Sequence, residues 1–325
     1  MSYAVILFNQ VLVMFILTLL GYLMFRSGKI SSEGSKALGN ILIYISLPSV
    51  IINSFLVEYS GEKLRELLIA AVFTFAIIVI SAAAARLGCR NNAINAFGGA
   101  FSNPGFFGVP LITAALGNAA VFYTAPFIAI LNLGQWTYGV SILKAADSSG
   151  NFVKKSASDK AVSPLHAVSG ILERLIKAPF MIAIIIGLFF FLTRIPMPKL
   201  LSKCLGFTAG LNTPIAMFTI GIYLAQIDIK RMFGHTGLYL VTAIRLLIIP
   251  LITILILSVL PLQFFELKLS ILIASACPVG SNVAVYAHLY DSDHGYAVET
   301  VIISTLFSII TIPLMVIIAT ALWYV

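Results

Sequence analysis

The sequence predicts an all-α membrane protein of ten transmembrane helices, built as two inverted five-helix repeats in which the fourth and ninth helices are broken and cross. Three observations predict this. Of the 325 residues, 60% are hydrophobic and only 10% charged, with a mean hydropathy of +1.05, whereas soluble domains carry about a quarter charged residues. Apolar runs near the roughly 20 residues that a helix needs to cross the hydrocarbon recur along the whole chain. Residues that interrupt helices fall at matching places in the two halves.

The spans run over about 3–25, 36–57, 64–85, 93–117 and 119–143, then 178–193, 200–224, 238–260, 267–290 and 296–324. They are helices because no alternating barrel pattern is present and lipid leaves no other unclosed backbone satisfied. The first opens within MSYAVILFNQ, with no basic residue before Arg26 and no small-residue cleavage site, and so reads as a retained helix rather than a removable signal peptide. The second holds LGNILIYISLP, with Pro48 nine residues after Gly39. The fourth has no charged side chain from Ala93 to Gly117 yet carries FSNPGFFGVP in its middle, and the fifth opens AAVFYTAPFIAI.

After the fifth span comes the one long hydrophilic stretch, rich in Ser, Ala and Lys. It makes residues 145–177 a linker between a first repeat at 1–144 and a second at 178–325. In the seventh span LGFTAGLNTP puts Pro214 eight residues after Gly206; the ninth carries ACPVG where the fourth has SNPG; the tenth begins YAVETVIISTLF, matching Ala297 and Val298 to Ala120 and Val121. These pairings give offsets of 166, 174 and 177 residues, in order along the chain. Five spans per half is an odd number, so the second repeat enters the membrane upside down. Inverted repeats of this kind mark secondary transporters, whose sites lie at discontinuous helices.

The formal charge of +8 does not indicate nucleic acid, because it follows the spans. With the N-terminus outside, thirteen of the 20 Lys and Arg residues, including Lys154, Lys155, Lys160 and Arg174 in the linker, fall at inner loops and span ends, and six at outer ones. The positive-inside rule then places both termini outside and the central loop in the cytoplasm. Cys89, Cys204 and Cys277 lack metal-ligand spacing, so neither a zinc site nor a disulfide framework is expected.

The breaks are the candidate site. Pro104 has no amide for the carbonyl of Ala100, Pro110 none for Phe106, and Pro278 none for Ala274, while Gly105 and Gly108 let the backbone turn. Each unpaired group costs several kcal/mol in hydrocarbon, so such backbone persists only against protein or a wet cavity. Two inverted halves would cross there, bringing Asn103 close to Cys277 and Asn282, with Ser281 beside them. Half-helix N-termini at a crossing favour an anion. Asn132 and Gln135 of the fifth span, and Asn212 and Thr213 of the seventh, add polar groups that serve equally as interhelical hydrogen bonds.

Arg245, about seven residues inside the eighth span, either snorkels to the surface or points inward and adds attraction for a carboxylate. His288, Asp291, Asp293, His294 and Glu299 read as a solvated connection or as a proton relay. GFTAG, residues 206–210, reads as a close-packing motif between helices.

With these residues in view the chain resembles the auxin efflux carrier family, which includes plant carriers and bacterial permeases for malonate or malate. The carriers of the resemblance are LGNILIYISLPSVIINSF, FSNPGFFGVPLITAALG, CPVGSNVAVYAHLY and TLFSIITIPL, and it extends over essentially the whole chain. It implies a fold similar to bile-acid sodium symporters, often a homodimer, in a bacterial cell membrane. A scaffold of spans 1, 2, 6 and 7 would face a mobile six-helix unit, with the ligand carboxylate at the crossing. Asn103 and Pro104, and Pro278 and Asn282, carry over as crossing residues by match to the motifs. Gly105 and Phe106 stand where plant carriers have a further polar residue, and the linker is short, which points away from auxin itself.

The expected function is a secondary carrier of a small organic anion working by alternating access, with Asn103, Pro104, Gly105, Asn132, Gln135, Arg245, Cys277, Pro278, Ser281 and Asn282 as substrate-site residues. No organic cofactor is expected; a coupling proton or sodium ion is left open. The alternatives are a sodium-coupled symporter of the bile-acid kind and a membrane sensor or channel. An intramembrane enzyme is disfavoured by the lack of HExxH, GxSxG or paired aspartates in facing spans.

Overall fold

A computed structural model describes residues 3–152, 177–227 and 229–324. The elements are α1 (Tyr3–Arg26), α2 (Ser32–Phe55), α3 (Gly61–Gly88), α4 (Ala93–Ala100), α5 (Pro104–Leu116), α6 (Asn118–Leu143), α7 (Pro179–Thr193), α8 (Lys199–Ala225), α9 (Ile229–Gly234), α10 (Thr236–Leu257), α11 (Phe265–Ala276), α12 (Asn282–Leu289) and α13 (His294–Trp323). Among the described residues seven helices, α1, α2, α3, α6, α8, α10 and α13, are long and apolar enough to cross a membrane. α5 and α7 are apolar but shorter; the 15 residues of α7 reach about 22 Å at the helical rise. The fourth and ninth predicted spans are each two pieces, α4 with α5 and α11 with α12. Three isolated bridges are the β-type pairings among the described residues.

Three of the helix prolines are housed by one recurring device. Leu42–Ser46 in α2, Pro104–Gly108 in α5 and Ile244–Ile248 in α10 each form a single wide turn, closed by bonds from Leu47 to Leu42, Val109 to Pro104 and Ile249 to Ile244. Each wide turn is followed two residues on by proline: Pro48, Pro110 and Pro250. A proline ring collides with the carbonyl four residues back. That residue is Tyr44, Phe106 or Leu246, inside the wide turn, where the carbonyl row is displaced from the ring.

The close helix contact is not where the sequence placed it. A Cβ added to Gly206 or Gly210 would meet nothing within 4 Å, so the glycines of GFTAG make no close approach; the motif touches α2 through Thr208, whose Oγ1 donates to Ser49 Oγ at 2.8 Å and whose carbonyl accepts from Ser46 Oγ at 3.0 Å. The seam is between α1 and α8: a Cβ on Gly21 would overlap the backbone of Phe218, and one on Gly221 the backbone of Thr18. A GxxxG pattern tolerates close approach without causing it, and the partner helix here meets α8 two to three turns further along.

Helix neighbours come in exchangeable pairs. α1 packs on α8 as α7 packs on α2; α3 on α4 as α10 on α11; α3 on α6 as α10 on α13; α6 on α11 as α13 on α4. The beginning of the predicted linker folds back onto the start of α4, where the Ala93 amide donates to Gly150 O at 2.7 Å and the Phe152 amide to Asn91 O at 3.0 Å. Residues 153–176, with Lys154, Lys155, Lys160 and Arg174, lie outside the described residues.

Candidate functional site at the crossing of two broken helices

Between α4 and α5, and between α11 and α12, the chain is extended, and the two extended segments lie antiparallel with Ser102 opposite Val279. The Asn103 amide donates to Pro278 O and the Gly280 amide to Phe101 O, both at 3.0 Å. Backbone groups of the two breaks are thus paired with each other across the crossing, while the Ala100 carbonyl that Pro104 releases accepts from Arg245 Nη1. No side chain fits between the strands: a Cβ on Gly280 would lie 2.8 Å from Ser102 O, and one on Gly108 3.0 Å from Cys277 Sγ.

A cavity of about 350 Å³ opens at the crossing. Its walls include Ser102, Asn103, Pro104 and Gly105 from the first break, Gly280, Ser281 and Asn282 from the second, Asn132 and Gln135 from α6, and Tyr44, Trp136 and Tyr286 as aromatic surface. Asn282 Nδ2 donates to Gln135 Oε1 at 2.9 Å, which leaves the Gln135 amide nitrogen without a partner at 1% exposure. Asn103 Nδ2 and Ser102 Oγ are buried and unpartnered as well. A buried donor left unpaired costs about 1–3 kcal/mol, so three of them in one pocket are suited to a ligand rich in acceptors. α5 and α12 both begin here, adding the positive ends of two helices.

The structure brings most of the predicted residues to this wall but sorts them by role. Asn132 Nδ2 donates to Ile128 O of its own helix at 2.8 Å. Asn212 lies outside the cavity, its Nδ2 donating to Gly105 O at 3.2 Å. Cys277 and Pro278 are behind the crossing, Cys277 Sγ donating to Ile273 O at 3.1 Å. Arg245 points inward and does not snorkel: it is 2% exposed and donates to the main-chain carbonyls of Gly99, Ala100 and Ser275. Ser102, Tyr44, Trp136 and Tyr286 were missed. Ser102 adjoins Asn103, Trp136 follows Gln135, and Tyr286 is one turn after Asn282, so proximity to polar residues was the available signal.

The acidic and histidine cluster divides too. Asp293 caps α13, accepting from the Tyr296 amide at 2.9 Å, and His294 Nδ1 lies 3.0 Å from Ala284 O. Glu299 is buried and pairs at 2.7 Å with His235, a residue the sequence did not single out.

A second cavity, of about 330 Å³, lies past the Asn212–Gly105 contact, lined among others by Gln10, Asn53, Thr113, Asn118, Asn212 and Thr213. In comparison with known proteins, the model of a family described as "Membrane transport protein" matches residues 6–316. The chain belongs to this family, that of the auxin efflux carriers. Relatives among these membrane transport proteins include a "Putative malonate transporter" of Rhizobium meliloti (strain 1021), 26% identical over 309 residues, 93% of this chain and 92% of the relative. An "Uncharacterized transporter" of Methanothermobacter thermautotrophicus is 25% identical over 319 residues, 94% and 96% of the two chains. One of Methanocaldococcus jannaschii matches to the same extent.

Proposed function

We propose that this membrane transporter is a secondary carrier of a small mono- or dicarboxylate, and that the solute's carboxylate binds at the crossing. The observation that carries the reading is the set of buried, unpartnered donors, Ser102 Oγ, Asn103 Nδ2 and Gln135 Nε2, gathered on one cavity with the starts of α5 and α12. A carboxylate offers two oxygens with about four acceptor sites and no donor, the complement of that wall. The similarity to a "Putative malonate transporter" makes malonate the first solute to test.

The architecture we propose is ten membrane crossings in two inverted repeats, with α1, α2, α7 and α8 as scaffold and the other helices as a mobile unit. Supporting it, exchanging α1, α2, α3, α4–α5 and α6 for α7, α8, α10, α11–α12 and α13 reproduces the packing pairs. Both cavities also lie between the same two sets of helices: Tyr44, Leu47 and Phe180 face the first from the scaffold, and Gln10, Asn53 and Thr213 the second. Movement of the unit would therefore expose the crossing alternately to each side. In the orientation with both termini outside a bacterial cell membrane, the cavity at the crossing opens to the cytoplasm. An inside-negative potential then favours exit of one negative charge by about 2.3 kcal/mol per 100 mV. A homodimer is part of the proposal through the family resemblance.

The test is counterflow in proteoliposomes loaded with unlabelled malonate and diluted into labelled malonate. Saturable accumulation, competed by other short carboxylates, is the expected result. Flux that is linear in concentration would favour a channel, and flux of no carboxylate would overturn the proposal.

A further inference from the structure

Four helix ends converge on the crossing, and only two of them face the cavity. α5 and α12 begin there; α4 and α11 stop there, at Ala100 and Ala276. A helix C-terminus carries roughly half a negative charge and unpaired carbonyls, so two of them side by side away from water repel each other and lack donors. In carriers with broken helices this is the type of place where an inorganic cation is coordinated.

Here a cation of the chain itself stands there. Arg245 leaves the wide turn of α10 and is buried among α4, α10 and α11. Its Nη1 donates to Gly99 O and Ala100 O, both at 3.1 Å, and its Nη2 to Ser275 O. Its hydrogen-bond partners are all main-chain carbonyls, without a carboxylate among them, and its Nε is unpartnered. The positive charge is thus matched to the two C-termini alone. Arg245 also does not line the cavity that holds the unpaired donors.

We infer that the Arg245 guanidinium is a resident substitute for a coupling cation: it fills the carbonyl site at the crossing, so that neither sodium nor potassium binds there and the carrier runs without sodium coupling at this position. The solute's carboxylate is then held by Asn103, Gln135 and Ser102, and Arg245 acts as a positioning residue that keeps the two half-helices together. This rests on the proposed carrier function only in its consequence for coupling; the site itself is defined by the carbonyls.

The experiment measures thermal unfolding of the purified full chain in detergent, in sodium, choline or guanidinium chloride at equal ionic strength. Wild type and Arg245→Lys are expected to unfold at the same midpoint in sodium as in choline, because each keeps a cation on the carbonyls. Arg245→Ala is expected to lose about 5 °C or more, since three charge-assisted bonds go, and to recover in part, saturably, with sodium or low-millimolar guanidinium. Arg245→Met, which fills the space without charge, is expected to lose stability and to gain nothing from either salt. Saturable stabilisation of wild type or Arg245→Lys by sodium would overturn the inference, as would an Arg245→Ala variant indifferent to every cation or an Arg245→Met variant as stable as wild type. If Arg245→Ala does not accumulate, the other three proteins still decide. Because the readout is stability, a failure here is distinct from a failure to transport carboxylates.

Discussion

At the scale of single residues, the cavity wall separates donors already used from donors kept free. Asn282 is paired with Gln135, whereas Asn103 Nδ2 is not paired. Asn103→Ala should therefore cost little folding stability but remove a hydrogen bond to a charged group, worth about 1.5–3 kcal/mol, or roughly 10- to 100-fold in solute affinity. Ligand-induced thermal shift and counterflow KM both read this, and an unchanged KM would exclude Asn103 from the site. Asn103→Asp should abolish binding outright by placing like charge against the carboxylate. Asn103, Pro104 and Ser281 were legible in the sequence because a break in an uncharged span requires an explanation. The direction of Arg245 was not, since it depends on Gly99, Ala100 and Ser275, which reach it only through the tertiary fold.

At the scale of elements, glycines define which helices touch. Gly221→Ala should destabilise strongly because its Cβ would enter the Thr18 backbone across the α1–α8 seam, whereas Gly206→Ala and Gly210→Ala meet nothing within 4 Å and should be neutral or gain up to about 1 kcal/mol of helix propensity. Comparing unfolding midpoints of the three variants checks the order. Gly280→Ala, 2.8 Å from Ser102 O, should part the crossing at a cost of about 1–3 kcal/mol and slow counterflow at the same time. Apolar length and proline placement made the elements legible beforehand, with breaks expected near Pro104 and Pro278. The seam was not legible, because Gly21 and Gly221 stand singly in unremarkable apolar runs while GFTAG carries the familiar spacing.

At the scale of the whole molecule, the two cavities are open to labelling. In a Cys204→Ser background, Ala178→Cys should react with a membrane-impermeant maleimide only from the cytoplasmic side, and Asn118→Cys only from the outside; the reverse pattern would invert the proposed orientation. The native thiols should stay silent, since Cys89 and Cys277 are buried. Burial also pushes the Cys89 thiol up to about 11, so near pH 7.5 it is protonated and unreactive. Its effect on stability is confined to alkaline pH: the unfolded thiol ionises from its ordinary value of 9.0 and the folded one only later, so stability falls as pH rises across that interval.

The partition between the two chambers is thin. Along α2 one chamber ends at Leu47 and the other begins at Val50; along α5 the corresponding residues are Phe106 and Val109. Three residues of helix amount to about 5 Å, and the bond from Asn212 to Gly105 is a polar strut across that septum. In the proposed alternating-access cycle, a stroke of one helical turn would thus suffice to hand a solute from one face to the other, with the knuckled scaffold as its fixed rail.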